Sequence, residues 1–132
     1  MLVVDASCLY EVVADGTKGE VARARMRSDP ELAAPHLVDA EVLGVIRRDL
    51  MLGRIDPTTA HQAVEDLRDW PGERFDHHLL MTRAWELRDR IRTWDAFYVA
   101  LAEALDATLL TFDQRLARAV DSHCHVEVPG DY

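Results

Sequence analysis

Four acidic residues interrupt apolar stretches of this chain: Asp5 in VVDAS, Glu41 in VDAEVL, Asp95 in WDAFYVALAEAL and Asp113 in TFDQRL. Each has an ordinary structural reading. Asp5 can end a strand and help cap the next helix. Asp113 can be a helix N-cap, a role worth about 1 kcal/mol. Asp95, in a helix's first turn, is favoured by the macrodipole by roughly 0.3–1 kcal/mol. Glu41 can snorkel or reach for Arg48, which stands two turns away. Together the four say more. An unpaired carboxylate is costly to bury, and neighbouring carboxylates repel. Either the four stand apart in solvent, or a cation gathers them. An all-carboxylate set without His or Cys selects a hard ion, Mg²⁺ with Mn²⁺ as a substitute, rather than zinc. Such an ion acidifies water enough for it to attack phosphorus.

The elements around these residues alternate. Leu2-Val3-Val4 reads as a strand buried on both faces. A helix follows to about Val13, with Leu9, Val12 and Val13 on its inner side. Glu20–Ser28 reads as a second helix, with Arg23 and Arg27 outward, broken at Asp29-Pro30. Leu32-Ala33-Ala34 is a short strand. His36 to Leu52 is a helix whose Val38, Val42 and Val45 share a face with Glu41. Gly44, one turn on, leaves room for something to approach, and Gly53 stands where a C-terminal cap belongs. Asp56-Pro57 opens a helix to about Asp69, with Ala60, Ala63, Val64 and Leu67 inside. Glu73–Asp76 gives a brief strand, and His77 to Ile91 a helix with the stripe Leu80, Ala84, Leu87, Ile91. His77 and His78 read as ordinary helix-start residues. Thr93 is expected to cap the helix Asp95–Leu105, with Tyr98, Val99 and Ala102 as packing surface. Thr108–Phe112 is a strand, Gln114–Val120 a helix and His125–Val128 a last strand.

Strands alternating with helices predict a single domain over residues 1–132: a three-layer α/β/α sandwich around a small, mostly parallel sheet. Asp5 and Asp113 then both follow strands at the carboxyl edge of the sheet, where ligands bind in such folds.

The bulk numbers narrow the choices. Net charge is −9, which argues against non-specific nucleic-acid binding. The basic residues are fourteen Arg and the single Lys18. Arg is the better fork for phosphate, and a GC-rich genome would encode the same bias. Cys8 and Cys124 form no CxxC pair and read as free thiols. Ser122-His-Cys-His125 lacks the partner ligands zinc needs. No run of 18 apolar residues spans a membrane. Met1 leads straight into the first strand without a signal-peptide pattern, so a cytoplasmic location is expected.

At VVDAS, PHLVDAEVL, WDAFYVALAEAL and LLTFDQRLARA the chain resembles the PIN-domain ribonucleases. Within them it resembles the VapC-like toxins of type II toxin–antitoxin pairs. The order and spacing match over nearly the whole chain. The resemblance implies a metal-dependent endoribonuclease in which Asp5, Glu41, Asp95 and Asp113 hold Mg²⁺. It makes Ser7 a polar support for Asp5, and Thr111 a further supporting hydroxyl; a local cap or backbone hydrogen bond is the plain alternative for both. Where the family often has another polar or acidic residue after the fourth acid, this chain has Gln114-Arg115. The implied products carry 5′-phosphate and 3′-hydroxyl ends. The implied partners are RNA, a cognate antitoxin and a second copy in a homodimer.

Arg47, Arg48, Arg92 and Arg115 lie close to the four acids in sequence and are the candidates for RNA phosphate. The stretch RAWELRDRIR (Arg83–Arg92) leads to Asp95, though Glu86 with Arg90 would pair on a solvated helix. Three rival readings fit the sequence less well. A phospho-receiver domain wants a Lys on a late strand, and Lys18 is early. No GxxxxGK[ST] exists for a P-loop. A binding module that keeps the fold without cleaving stays open as the non-enzyme alternative; loss of one of the four acids would point to it, and all four are present. DNA stays open as the alternative substrate, since no residue visibly reads a 2′-hydroxyl.

Overall fold

The computed structural model describes residues 1–120 and 124–130. Five short strands form one sheet: β1 (Leu2–Val4), β2 (Leu32–Pro35), β3 (Glu73–Phe75), β4 (Thr108–Leu110) and β5 (Val126–Glu127). Their spatial order is β3-β2-β1-β4-β5, and every neighbouring pair is parallel. Leu2 stands opposite Leu32 on one side and Thr108 on the other. Leu2, Val3 and Val4 are fully buried, as a central strand covered on both faces requires.

The helices are α1 (Ala6–Val13), α2 (Gly19–Arg27), α3 (Leu37–Met51), α4 (Pro57–Asp69), α5 (Met81–Glu86), α6 (Thr93–Leu105) and α7 (Gln114–Val120). α1 packs on α2, α3 and α4, while α5 packs on α6, and α6 crosses β1, β2 and β4. The expected three-layer α/β/α arrangement is therefore present, with an all-parallel sheet. None of the helices is long and apolar enough to cross a membrane, among the described residues. Strand order runs outward from β1 in two directions, first to β2 and β3, then to β4 and β5. The point of reversal, between β1 and β4, is where such sheets open a crevice at their carboxyl ends.

Several expectations are met in detail. Asp56 caps α4 by accepting the Thr59 N–H at 2.7 Å, with Pro57 in the first turn. Gly53 takes a φ of +73° just past α3, a conformation that suits glycine. Others need correction. The helix expected from His77 to Ile91 is one 3₁₀ turn, His78–Leu80, followed by the short α5. After Glu86 the bonds tighten to the i−3 pattern at Leu87, Arg88 and Arg90, and the Arg88 side chain takes the Trp85 carbonyl. The stripe Leu80, Ala84, Leu87, Ile91 is buried nonetheless. Val64 is 38% exposed instead of inside. Thr93 is the first residue of α6 rather than its cap; Arg92 holds the cap position and offers no side-chain bond. Thr111 and Phe112 fall beyond β4. Ser122 and His123 lie outside the described residues.

Leu109 sits in β4 between Val3 and Val126 and is fully buried. Leu109→Ala should lower unfolding free energy by about 2–5 kcal/mol in urea titrations, with no change in the denaturant slope.

Candidate active site

Asp5 leaves β1 as the N-cap of α1, and its amide still pairs with the Leu110 carbonyl of β4 at 2.9 Å. Its side chain is buried. Two hydroxyls donate to its Oδ2: Ser7 Oγ at 2.7 Å and Thr111 Oγ1 at 2.8 Å. Each hydroxyl has one proton to give. With both protons committed to Asp5, the hydroxyl oxygens accept from the main chain: Phe112 N–H reaches Ser7 Oγ at 2.9 Å, and Asp113 N–H reaches Thr111 Oγ1 at 3.0 Å. The loop carrying Asp113 is thus tied to Asp5 through both supporting hydroxyls. Asp113 in turn caps α7, its Oδ1 accepting from the Arg115 and Leu116 amides at 2.9 and 3.2 Å.

Glu41 comes from α3 and Asp95 from the first turn of α6. Asp5, Glu41, Asp95 and Asp113 all line one cleft of about 820 Å³. Gly44 lines it as well, and a Cβ there would meet no atom within 4 Å, so α3 leaves the approach open. Burial raises the carboxyl pKa of Asp5 against its hydrogen bonds. Glu41 is raised by burial, then by the charges of Asp5 and Asp95. Asp95 is raised by burial, then by Asp5, with Asp113 adding to it. Glu41 and Asp95 therefore feel the other acids across the cleft.

As they stand, no three His, Cys, Asp or Glu side chains are drawn together around one metal-sized point, among the described residues. Each acid is held separately. Tyr98 Oη donates to Glu41 Oε1 at 2.6 Å, and Arg92 Nε lies 3.4 Å from Asp95 Oδ2. The donor set still fits a hard divalent cation: all oxygen, partly desolvated, and short of positive charge.

The sequence reading takes Tyr98 as packing surface, and its ring is indeed fully buried. Its hydroxyl is the addition, as the polar end of a side chain on an otherwise apolar helix face three residues past Asp95. Glu41 is bound there rather than by Arg48, which pairs with Asp49 at 3.3 Å. Asp49 is buried, and it also takes Arg54 at 3.3 Å and the Tyr10 hydroxyl. His77, read as an ordinary helix-start residue, accepts the Leu37 amide at Nε2 (2.9 Å) and so closes the start of α3.

Of the phosphate candidates, Arg48 and Arg92 line the cleft. Arg92 and Arg115 share a neighbouring pocket with Asp95 and Asp113. Arg47 is exposed and not among the cleft residues. The Arg83–Arg92 stretch divides: Arg83 is bound to Glu103 at 2.8 and 3.0 Å, and Arg88 stacks on Trp85, while Arg90 and Arg92 border the acids. Glu86 lies 3.9 Å from Arg83, and the helix ends there, so the expected Glu86–Arg90 pair has no helix to sit on.

Residues 2–121 match the PIN domain family. The chain belongs to that family. Within it, Ribonuclease VapC3 of Mycobacterium tuberculosis is 39% identical over 119 residues, covering 89% of this chain and 86% of the relative. Ribonuclease VapC1 of the same organism is 35% identical over 127 residues, 96% of each chain. The PIN-domain fold also recurs in VapBC-5 of Mycobacterium tuberculosis, a member of the VapBC family of toxin–antitoxin systems. There the TM-score is 0.56 at 18% identity, covering 96% of this chain and 95% of that one.

Tyr98→Phe should weaken Mn²⁺ binding by about tenfold in calorimetric titration while circular dichroism stays unchanged; unaltered affinity would remove Tyr98 from the site. Raised carboxyl pKa values mean that the folded, metal-free chain binds more protons than the unfolded one above the ordinary value of 3.8 for Asp5. Its stability in EDTA should therefore fall as pH rises above the ordinary carboxyl range. Asp29 and Asp49, held low by the Glu31 amide and the Tyr10 hydroxyl respectively, act oppositely and only at lower pH. Asp5→Asn should flatten that fall and raise the melting temperature of the metal-free protein near neutral pH.

Proposed function

We propose that this chain is a Mg²⁺-dependent endoribonuclease, with Mn²⁺ as a substitute ion, and the toxin of a type II toxin–antitoxin pair. One observation carries the reading: four acids from four separated segments border a single cleft at the sheet's switch point. Relatives named as ribonucleases at 35–39% identity over nearly the full length support it.

Asp5, Glu41, Asp95 and Asp113 would hold the cation. Bound there, a divalent ion supplies a water acidic enough to attack phosphorus and a counter-charge for the departing oxygen. The rest is the chain's own work. Ser7 and Thr111 fix Asp5 by two donated hydrogen bonds and lock the Asp113 loop to it. Tyr98 fixes Glu41 in the same way. Arg92 offsets the charge of Asp95 and, with 69% of its side chain exposed, can exchange that partner for a phosphate oxygen. Arg115 lines the neighbouring pocket together with Asp113. The RNA is held and oriented by these arginines while the acids stay behind it. A cognate antitoxin is the expected regulator, as in the VapBC systems, and a homodimer the expected assembly.

The test is cleavage of total RNA by the partner-free chain, with Mn²⁺ or Mg²⁺ against EDTA. Asp95→Asn should lower the rate by about a hundredfold or more, the loss expected when several kcal/mol of charge stabilisation disappear. A DNA of matching sequence should stay intact. Cleavage that persists in EDTA would sink the metal mechanism.

A further inference from the structure

Phe112 is a wall shared by two hollows. It lines the acidic cleft, and it also lines a second pocket of about 400 Å³ with Thr17, Lys18, Val21, Gln114 and residues 128–130. None of the roles assigned above uses this pocket. Its contents are mixed in a particular way. Lys18, the only lysine of the chain, places its ammonium 5.1 Å from the centre of the Phe112 ring. It enters no ion pair among the described residues. Gln114 is exposed and presents an amide, which both donates and accepts. Val21, 41% exposed, adds an apolar surface.

The pocket is also fixed relative to the acids. The Phe112 amide donates to Ser7 Oγ, and the Ser7 hydroxyl donates to Asp5. Gln114 immediately follows Asp113. A strand of RNA with one phosphate in the cleft therefore has its neighbouring nucleotide within reach of Phe112. An unpaired ammonium, an aromatic wall and an amide are the groups that hold a phosphate, a base face and a base edge. The same groups could meet a peptide; the continuity of Phe112 with the acidic cleft favours an RNA strand.

We propose that this pocket is a nucleotide subsite beside the bond to be cut, built for single-stranded RNA. Lys18 neutralises a phosphate, and Phe112 and Gln114 receive the base. The inference rests on the ribonuclease reading above and adds a specificity element to it.

The experiment compares the full chain with Lys18→Gln, Lys18→Arg and Gln114→Ala, with Mn²⁺ present. KM and kcat are measured on a random-sequence single-stranded RNA pool across a series of salt concentrations, and the cut ends are sequenced. Lys18→Gln should raise KM about fivefold, leave kcat within about twofold, and make the slope of log KM against log salt shallower by about 0.7, the loss of one phosphate contact on a single strand. Lys18→Arg should restore the slope. Gln114→Ala should keep the slope and flatten the base preference at one position flanking the cut. Calorimetric Mn²⁺ affinity should be unmoved in all three. An unchanged slope together with an unchanged base preference would overturn the subsite and leave the pocket to a protein ligand. A KM change that comes with weaker Mn²⁺ binding would also overturn it, since the residues would then be supporting the acids. A parent chain that cleaves no RNA would instead bring down the ribonuclease reading, and the subsite with it.

Discussion

Repulsion among partly buried carboxylates is the constraint that the rest of this molecule accommodates. Burial raises the pKa of Asp5, Glu41 and Asp95, and the charge of Asp5 makes Glu41 and Asp95 harder to hold. A fold selected for stability alone would place apolar or neutral residues there. This one instead surrounds each acid with its own donors: two hydroxyls for Asp5, a phenol for Glu41, a guanidinium for Asp95 and the first amides of α7 for Asp113. These donors do not cancel the charge. They hold the oxygens in place and leave the site short of positive charge, which is the condition under which a divalent cation binds well.

The sheet makes that arrangement geometrically inexpensive. Asp5 and the Thr111–Asp113 loop leave adjacent parallel strands at the same edge, so their hydrogen bonds form across the gap of a strand pair. α3 and α6 then approach that edge from connections that follow β2 and precede β4. Their contributions, Glu41 and Asp95, need no strained backbone. The positive-φ residues outside glycine are Asp15 and Asp106, among the described residues, and both lie away from the cleft.

How much of this was legible beforehand depended on which force fixed each feature. Apolar runs and helix spacing mark the strands and the long helices because burial sets both, and the four acids stood out because burial disfavours them. Capping chemistry at Asp56 and Gly53 was local and so could be read directly. The features that escaped are set by distant partners. Tyr98 looks like core in sequence, and only α3 passing over its hydroxyl makes it a partner of Glu41. His77 gains its role from the Leu37 amide, forty residues away in sequence. The helix expected through Ile91 kept its buried stripe and lost its hydrogen-bond pattern, because burial period and bonding pattern are separate constraints once an Arg88 guanidinium competes for a main-chain carbonyl. Val64 followed the right period and still came to the surface.

A net charge of −9 is at odds with the proposed RNA substrate only if charge is taken as a sum. What a phosphate meets is the local field. Many of the arginines are already engaged by the chain's own carboxylates: Arg23 with Asp15 and Glu20, Arg74 with Asp39, Arg83 with Glu103. Such pairs serve packing and leave little field for a phosphate. Around the cleft the pattern changes. Among the described residues, Arg48 and Arg92 are held only by single contacts at 3.3–3.4 Å, and they keep more than half of their side chains exposed. Partners held that loosely can be exchanged at small cost when a phosphate arrives. On the proposed ribonuclease reading, the acidic total would discourage indiscriminate nucleic-acid binding, and a few weakly committed cations at the rim would decide where a strand settles.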